Sequence, residues 1–189
     1  MKFIIVRHGQ TKENTKGIIQ NPDVPLDEIG IKQIKKIAKK LRKEKIDNAY
    51  ASDFKRTVET AQEILKFHPD VKLFKSPELR EKNAGIFIDK PLVKQKKARI
   101  KSGLPFYEFR PFKGESLVDL QKRMVKFFNK LIQSYKKETV LIVTHNAAIK
   151  TLLLYLKNKT FKDYTAMKID NTGMTIIEVD KKGKIKIIE

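Results

Sequence analysis

Two histidines stand directly after the two most strand-like runs of this chain. His8 follows FIIVR, and His145 follows TVLIVT. Arg7 comes directly before the first histidine and Asn146 directly after the second. An imidazole can act as a nucleophile or carry a proton near neutral pH, and a neighbouring guanidinium attracts anions. The sequence therefore predicts an active site where these two strands end.

The two histidines can meet only if their strands are neighbours. Ligands of open α/β sheets bind beyond the carboxyl ends of the strands, so parallel neighbours would place His8 and His145 in one crevice. A lone histidine is more often a surface or core residue than a functional one. Here two of the three histidines occupy strand ends, and the third, His68, is expected at a helix end with a structural role.

The spacing of apolar residues predicts strands that alternate with helices. Strands are expected at residues 2–7, 48–52 and 139–144, at VKLF, and in a closing hairpin made of MTIIEV and KIKII. Helical spacing is found at residues 31–41, 54–65, 117–135 and 147–156, and the second of these helices is expected to bury Phe54, Val58, Ala61 and Leu65. This order favours a single three-layer α/β/α domain over residues 1–189, with a mostly parallel central sheet.

Residues 83–113 interrupt this alternation. The segment shows little periodicity and contains several prolines and glycines, so it is predicted to be a loop-rich excursion that could cover the site and set specificity. Its basic residues could meet an anionic substrate tail, although a solvated run of charge is the simpler interpretation; they are Lys94, Lys96, Lys97, Arg99 and Lys101.

The chain is strongly basic, with 42 Lys and Arg against 22 Asp and Glu and a net charge of +20. Such a field attracts anions, but most lysines are expected on solvated helix faces, so a nucleic-acid role is not favoured. The chain has no cysteine, no apolar run long enough to span a bilayer and no signal-peptide pattern. A cytoplasmic protein without a membrane partner is expected, and its oligomeric state is left open.

Two further charged residues are candidates for the site. Arg56 is expected near the start of a helix that follows a short strand, where free backbone N–H groups can hold an anion. Glu81, in PELREKNAG, lies outside any helical stripe. Taken singly, a surface arginine and a solvated loop carboxylate would be the simpler explanations.

Several segments, in the right order, resemble the histidine phosphatase superfamily, which includes the phosphoglycerate-mutase-like proteins. RHGQTKEN is similar to RHGxTxxN, GIIQNPDVPLDEIG to GxxQGxxDxPLTxxG, SDFKRTVETA to SxxxRTxxTA, FRPFKGES to PxGES, and VTHNAAI to VTHGxxI. ELRE ends with Glu81, at the position of the expected acid. The matches span roughly residues 3–150, and their common order makes them far more specific than RHG alone.

The resemblance implies a phosphatase that hydrolyses phosphate monoesters in two steps. His8 would attack phosphorus and form a phosphohistidine, and the charges of Arg7 and Arg56 would keep its imidazole neutral. Glu81 would protonate the leaving oxygen and then take a proton from the attacking water. The phosphate would be held by Arg7, Arg56, Asn14, His145 and Asn146. This chemistry needs a small phosphorylated substrate and neither a metal nor another cofactor.

The chain departs from the family pattern at identifiable positions. Asn146 stands where glycine is usual, and Phe87, Ile88 and Asp89 stand where a Trp-Glu-Gly triplet is common. The longer arginine- and tyrosine-rich insertion of phosphoglycerate mutases is missing, which favours a phosphatase over a mutase. A binding or regulatory module and a nucleic-acid-associated protein are the alternatives from other classes. A degenerate module would tend to lose the candidate catalytic residues, and all of them are present.

Overall fold

Six strands form the central sheet in the computed structural model, which describes residues 1–188. They are β1 (Lys2–Arg7), β2 (Asn48–Ala51), β3 (Leu73–Lys75), β4 (Thr139–Thr144), β5 (Met174–Val179) and β6 (Ile185–Ile188). Their order across the sheet is β3-β2-β4-β1-β5-β6. The first four of these pair in parallel, whereas β5 is antiparallel to both β1 and β6. The mostly parallel sheet predicted from the sequence is confirmed.

Helices cover both faces of this sheet. They are α1 (Lys12–Lys16), α2 (Glu28–Leu41), α3 (Lys55–Leu65), α4 (Leu92–Lys101), α5 (Leu117–Ser134) and α6 (Asn146–Leu156). Because side chains alternate along a strand, Phe3 and Ile5 of β1 pack with α5 and α6, while Ile4 and Val6 pack with α2 and α3. Each face therefore has its own apolar core, and the three layers form one α/β domain. No helix within residues 1–188 combines the length and apolar character needed to cross a bilayer.

The segment predicted to be loop-rich contains a regular helix, so that part of the prediction was wrong. Helix α4 occupies Leu92–Lys101 and buries none of its residues, which is why it has no apolar stripe to detect. Its start is fixed to the loop after α1: Leu92 N–H donates to Gly17 O at 2.8 Å, and Ile19 N–H donates to Lys90 O at 3.0 Å. These bonds place α4 beside the chain that follows the β1 strand end.

The start of α2 supports the loop that follows β1. The Asp27 carboxylate caps the helix by accepting from Gly30 N–H at 2.7 Å, and Asp27 N–H donates to Gln10 O at 3.0 Å. Gln10 N–H in turn donates to the side chain of Gln33 at 2.9 Å. The backbone two residues beyond His8 is therefore held by α2.

We expect Gly30→Ala to destabilise the protein by about 1–3 kcal/mol and to lower its activity. A methyl group at this position would collide with the backbone of Gln10. Its carbon would lie 2.9 Å from the amide nitrogen of Gln10 and closer still to the carbonyl oxygen. If the backbone moved to relieve this collision, the hydrogen bond from Asp27 N–H to Gln10 O would break. Urea unfolding of the variant, beside its turnover, measures both effects, and an unchanged unfolding midpoint would contradict this tight contact.

Candidate active site

The two strand-end histidines lie side by side. Strands β1 and β4 are parallel neighbours in which Arg7 pairs with Thr144, so His8 and His145 leave the same edge of the sheet. Their ring centroids are 5.2 Å apart and the ring planes are inclined by 64°. The strand register therefore accounts for the meeting of residues that are far apart in sequence.

The hydrogen bonding of His8 leaves one ring nitrogen free for attack. Its Nδ1 lies 2.7 Å from the carbonyl oxygen of Gly9, and because a carbonyl only accepts, Nδ1 carries the proton. The lone pair of the neutral ring is then on Nε2. Burial of His8, reinforced by the nearby charge of Arg56, holds the pKa of its imidazole well below the usual 6.5. The ring is therefore an unprotonated potential nucleophile at neutral pH.

His145 is completely buried and is engaged by two polar neighbours. Its Nε2 lies 2.9 Å from Ser52 Oγ, and its Nδ1 lies 3.4 Å from a terminal nitrogen of Arg56. A guanidinium only donates, so Nδ1 accepts from Arg56 and the Nε2–H group donates to Ser52. Burial and the charge of Arg56 lower the pKa of His145 well below 6.5. His145 supports the guanidinium in this structure instead of forming part of the cavity wall.

Two guanidiniums stand beside the histidines and are oriented by backbone carbonyls. Arg7 donates to Ile169 O at 2.6 Å, and Arg56 donates to Asn21 O at 2.9 Å. Burial lowers the pKa of both side chains, that of Arg56 to about 10, so both remain charged at neutral pH. The Nε atom of each is buried without a hydrogen-bond partner in the described chain. Each guanidinium therefore keeps donor capacity that an anion can use.

A cavity of about 640 Å³ opens in front of this group. His8, Arg7 and Arg56 lie on its wall together with Glu81, Asn14 and Asn146, so of the residues proposed for the site only His145 lies behind the wall. The amide oxygen of Asn14 accepts from Thr11 N–H at 3.2 Å, which turns its NH₂ group into the available donor. A phosphate in this cavity would meet donors from three different elements.

Glu81 is placed in the cavity by contacts with the backbone. Its Oε2 accepts from Ala147 N–H, in the first turn of α6, at 3.1 Å, and its Oε1 accepts from Lys82 N–H at 2.8 Å. Arg123 of α5 donates to the carbonyls of Glu78 and Arg80, which fixes the chain immediately before Glu81. The carboxyl group is therefore held beside the two arginines, whose pKa values its charge raises against the effect of burial.

A family model for the histidine phosphatase superfamily (branch 1) matches residues 3–187 of the chain. The chain belongs to the histidine phosphatase superfamily. The resemblance read from the motifs is thereby confirmed.

Curated and solved members of the histidine phosphatase superfamily resemble this chain over most of its length. A protein named as a probable phosphatase from Schizosaccharomyces pombe is 30% identical over 97% of this chain and 89% of its own length. A 2,3-bisphosphoglycerate-dependent phosphoglycerate mutase from Bartonella henselae is 30% identical, with 93% and 90% covered. The structure of YhfR from Bacillus stearothermophilus superposes with a TM-score of 0.89 at 27% identity, covering 98% of this chain and 94% of the other. Relatives named as a phosphatase and as a mutase therefore match this chain over most of its length, and the solved structure has the same fold.

Two residues at this histidine phosphatase site were not predicted from the sequence as site residues. Phe54 was expected in the buried stripe of a helix, but it lies just before α3 and on the cavity wall. Its ring is 4.9 Å from the guanidinium of Arg56 and 5.2 Å from the ring of His145. Nothing in the sequence marked Ser52, which contacts His145, as a site residue except its position in SDFKRT. The only available clue to both was their position between a strand and Arg56.

We expect the free energy of unfolding to fall as the pH drops below about 6.5. The folded protein keeps both buried histidines neutral, whereas the unfolded chain protonates them near 6.5, so the unfolded state binds more protons there and stability falls with pH. Each histidine can contribute up to about 1.4 kcal/mol per pH unit. Urea unfolding from about pH 8 to about pH 5 measures the slope, and His8→Asn should remove close to half of it. A slope unchanged by His8→Asn would contradict a neutral buried ring.

Proposed function

We propose that this protein hydrolyses small phosphate monoesters through a phosphoryl group carried on Nε2 of His8. The observation that carries the proposal is the geometry around His8: Nδ1 is committed to Gly9 O, and Arg7 and Arg56 line the same cavity as the ring. A neutral nitrogen beside two guanidiniums suits in-line attack on a phosphoryl group, whose three equatorial oxygens need charge stabilisation. Membership of the superfamily and the phosphatases among its relatives support the same reaction.

The reaction consists of two transfers at phosphorus. In the first, Nε2 of His8 forms a bond to phosphorus, the bond from phosphorus to the ester oxygen breaks, and the Glu81 carboxyl group gives its proton to the departing oxygen. In the second, water attacks the phosphohistidine, Glu81 takes a proton from the water, and the N–P bond breaks to release inorganic phosphate. Together the two steps return His8 and Glu81 to their starting states.

The other proposed site residues hold the phosphoryl group during these transfers. Arg7 and Arg56 supply forked donors, and Asn14 and Asn146 supply neutral contacts from the cavity wall. The roles of these residues stay predictions. For His145, the contact with Arg56 favours a positioning role, and direct contact with phosphate also stays a prediction. Within residues 1–188, no group of His, Cys, Asp and Glu side chains is arranged to hold a metal ion.

The intermediate provides the decisive experiment. Wild-type protein mixed with p-nitrophenyl phosphate and quenched early should gain the mass of one phosphoryl group on the peptide that contains His8. A phosphohistidine is labile in acid and stable in base, unlike a phosphoserine, so its pH stability identifies the linkage. Turnover should be unaffected by a metal chelator. Rapid hydrolysis without a trappable acid-labile adduct would contradict the proposed route.

A phosphoglycerate-type mutase is the second candidate, because a Bartonella mutase matches as well as a phosphatase does. The two activities differ only in what accepts the phosphoryl group from His8. We expect water to be the acceptor, so that inorganic phosphate appears as fast as the phosphohistidine disappears. Transfer from the phosphoenzyme to 2- or 3-phosphoglycerate in preference to water would establish the mutase instead.

A further inference from the structure

Exposed apolar side chains are concentrated in the segment that contains α4. Of the eleven large ones that are exposed within residues 1–188, six lie between residues 86 and 112; they are Ile86, Leu92, Val93, Ile100, Leu104 and Phe112. Single apolar residues scattered over a surface are normal, whereas a concentration of them is typical of a surface that contacts another molecule. The segment therefore contains a candidate interaction surface.

Helix α4 directs two of these side chains away from the rest of the protein. Val93 and Ile100 are 53% and 64% exposed, whereas Gln95 and Ala98 are half-buried. Residues seven positions apart in a helix lie on the same face, so Val93 and Ile100 form one outward-facing apolar row. The helix has ten residues and buries none of them, so packing within the described chain adds little to its stability.

Helix α2 shows the usual arrangement for comparison. Its Ile34, Ile37 and Leu41 are buried, and its lysines are exposed. The sheet therefore accounts for the apolar stripe of α2. On α4 the arrangement is reversed, because the apolar row faces outward and nothing within residues 1–188 covers it.

Lysines border the apolar row of α4 on both sides. Lys96 and Lys97 come three and four positions after Val93, so they lie on either side of the line from Val93 to Ile100. The helix has five basic residues and no acidic one: Lys94, Lys96, Lys97, Arg99 and Lys101. Within residues 1–188, none of these five side chains forms an ion pair or a hydrogen bond, and none lies on the cavity wall. They are therefore available to an external anionic surface and do not meet a substrate bound in the cavity.

This pattern indicates the chemistry of the partner. An apolar row bordered by unpaired cations matches an anionic lipid surface, where apolar side chains enter the acyl boundary and ammonium groups bind the headgroups. A nucleic acid would bind the cations but would offer no apolar region to Val93 and Ile100. A second copy docked through the same face would bring two sets of cations together. The anionic bilayer is the partner that satisfies both parts of the surface.

We propose that the outward face of α4 docks on anionic phospholipid membranes, with Val93 and Ile100 inserted among the headgroups that Lys96 and Lys97 bind. A helix used in this way lies along the membrane surface, so the inference requires no spanning segment. It departs from the sequence-based expectation of a protein without a membrane partner. Because Leu92 of the same helix lies on the cavity wall, docking would also bring the candidate active site close to the lipid headgroups.

The chain has no tryptophan, so a single introduced one can report contact with lipid. Ile100→Trp places the probe on the proposed surface, and Ile29→Trp places it on α2, where Ile29 is 54% exposed. With vesicles of equal parts phosphatidylcholine and phosphatidylglycerol, we expect the emission of Ile100→Trp to shift to shorter wavelength and that of Ile29→Trp to stay unchanged. Vesicles of phosphatidylcholine alone should shift neither emission.

Charge-matched variants separate insertion of apolar side chains from general attraction by a chain of net charge +20. Val93→Ser combined with Ile100→Ser keeps this charge and should weaken binding to the anionic vesicles, measured by co-sedimentation, by about tenfold or more. Ile29→Ser combined with Ile31→Ser makes the same kind of change at exposed positions of α2. This control should bind the vesicles as the wild-type protein does.

A second pair of variants tests the cations. Lys96→Gln combined with Lys97→Gln should weaken vesicle binding by about tenfold, whereas Lys35→Gln combined with Lys36→Gln removes the same charge from α2 and should have a much smaller effect. All four double variants should hydrolyse p-nitrophenyl phosphate as the wild-type protein does when vesicles are absent, because none of the changed side chains lies on the cavity wall.

Three results would overturn the inference. An unshifted emission of Ile100→Trp, or equal weakening by the changes on α2 and α4, would mean that net charge alone attracts the protein to vesicles. Binding of an oligonucleotide that needs Lys96 and Lys97 but not Val93 and Ile100, without vesicle insertion, would assign the surface to nucleic acid. A dimer that dissociates in Val93→Ser combined with Ile100→Ser would assign it to a second copy. The proposed function is tested separately, because phosphohistidine formation is measured without vesicles.

Discussion

His8→Ala should lower kcat/KM for phosphate monoesters by about 10⁴-fold or more, because removal of a covalent nucleophile removes the reaction path itself. No phosphoenzyme should form, since the only nitrogen placed for attack in the proposed site is Nε2 of His8. The guanidiniums of Arg7 and Arg56 remain in this variant, so it should still bind the substrate. Turnover, adduct trapping and equilibrium binding together measure the prediction.

The matched control for this variant is His68→Ala. His68 lies between α3 and β3, outside the cavity, so its removal tests the loss of an imidazole without touching the proposed site. It should retain wild-type turnover. Circular dichroism and urea unfolding establish that His8→Ala is folded. Substantial activity in folded His8→Ala would remove the nucleophile from the mechanism, even if the rest of the site were correct.

The strand ends could be predicted from the sequence because of how parallel sheets are built. A strand covered on both faces has a continuous apolar run, and such a run that ends in a polar side chain marks the carboxyl edge of the sheet. FIIVRH and LIVTH both have this form, and β1 and β4 are indeed adjacent and parallel. The pairing of strands far apart in sequence then brings their histidines together.

Helix α3 shows why the rest of the site was harder to predict. Its buried face includes Arg56, Thr57 and Thr60, so apolar periodicity does not reveal which side faces inward. Thr60 uses this face to hold the active-site loop, because its Oγ1 accepts from Gly9 N–H at 3.2 Å. Of the expected apolar stripe only Ala61 is fully buried: the Phe54 ring lies on the cavity wall, and Val58 and Leu65 are half-buried. On this helix, polar residues of the proposed site occupy buried positions that apolar residues usually fill.

Backbone carbonyls orient both guanidiniums, and this part of the site has no sequence signature. Ile169 O accepts a hydrogen bond from Arg7, and Asn21 O accepts one from Arg56. Neither contact depends on the side chain of the accepting residue. The same limitation applies to α4, whose position depends on backbone bonds to Gly17 and Ile19. Sequence motifs identify the residues proposed to perform the chemistry, whereas the backbone contacts that position them can be seen only in the structure.

Glu81→Gln should slow alkyl phosphates by about 10²- to 10⁴-fold in kcat/KM and p-nitrophenyl phosphate by far less. An alkoxide is a poor leaving group that needs a proton as the bond to phosphorus breaks, whereas p-nitrophenolate departs without one. Glutamine keeps the size of the side chain and one acceptor oxygen for Ala147 N–H, but it has no proton to give. A series of esters with leaving groups of increasing basicity measures the change as a steeper dependence of rate on leaving group.

The second transfer gives the same variant an independent readout. With p-nitrophenyl phosphate, Glu81→Gln should form the phosphohistidine readily but hydrolyse it slowly, because no carboxylate takes the proton from water. The adduct should therefore accumulate, with a burst of p-nitrophenolate ahead of steady turnover. Glu78→Gln, an exposed neighbour whose carboxylate contacts Ser76, should show neither effect. Equal slowing of good and poor leaving groups, with no accumulated adduct, would mean that Glu81 positions the substrate and that another group carries the proton.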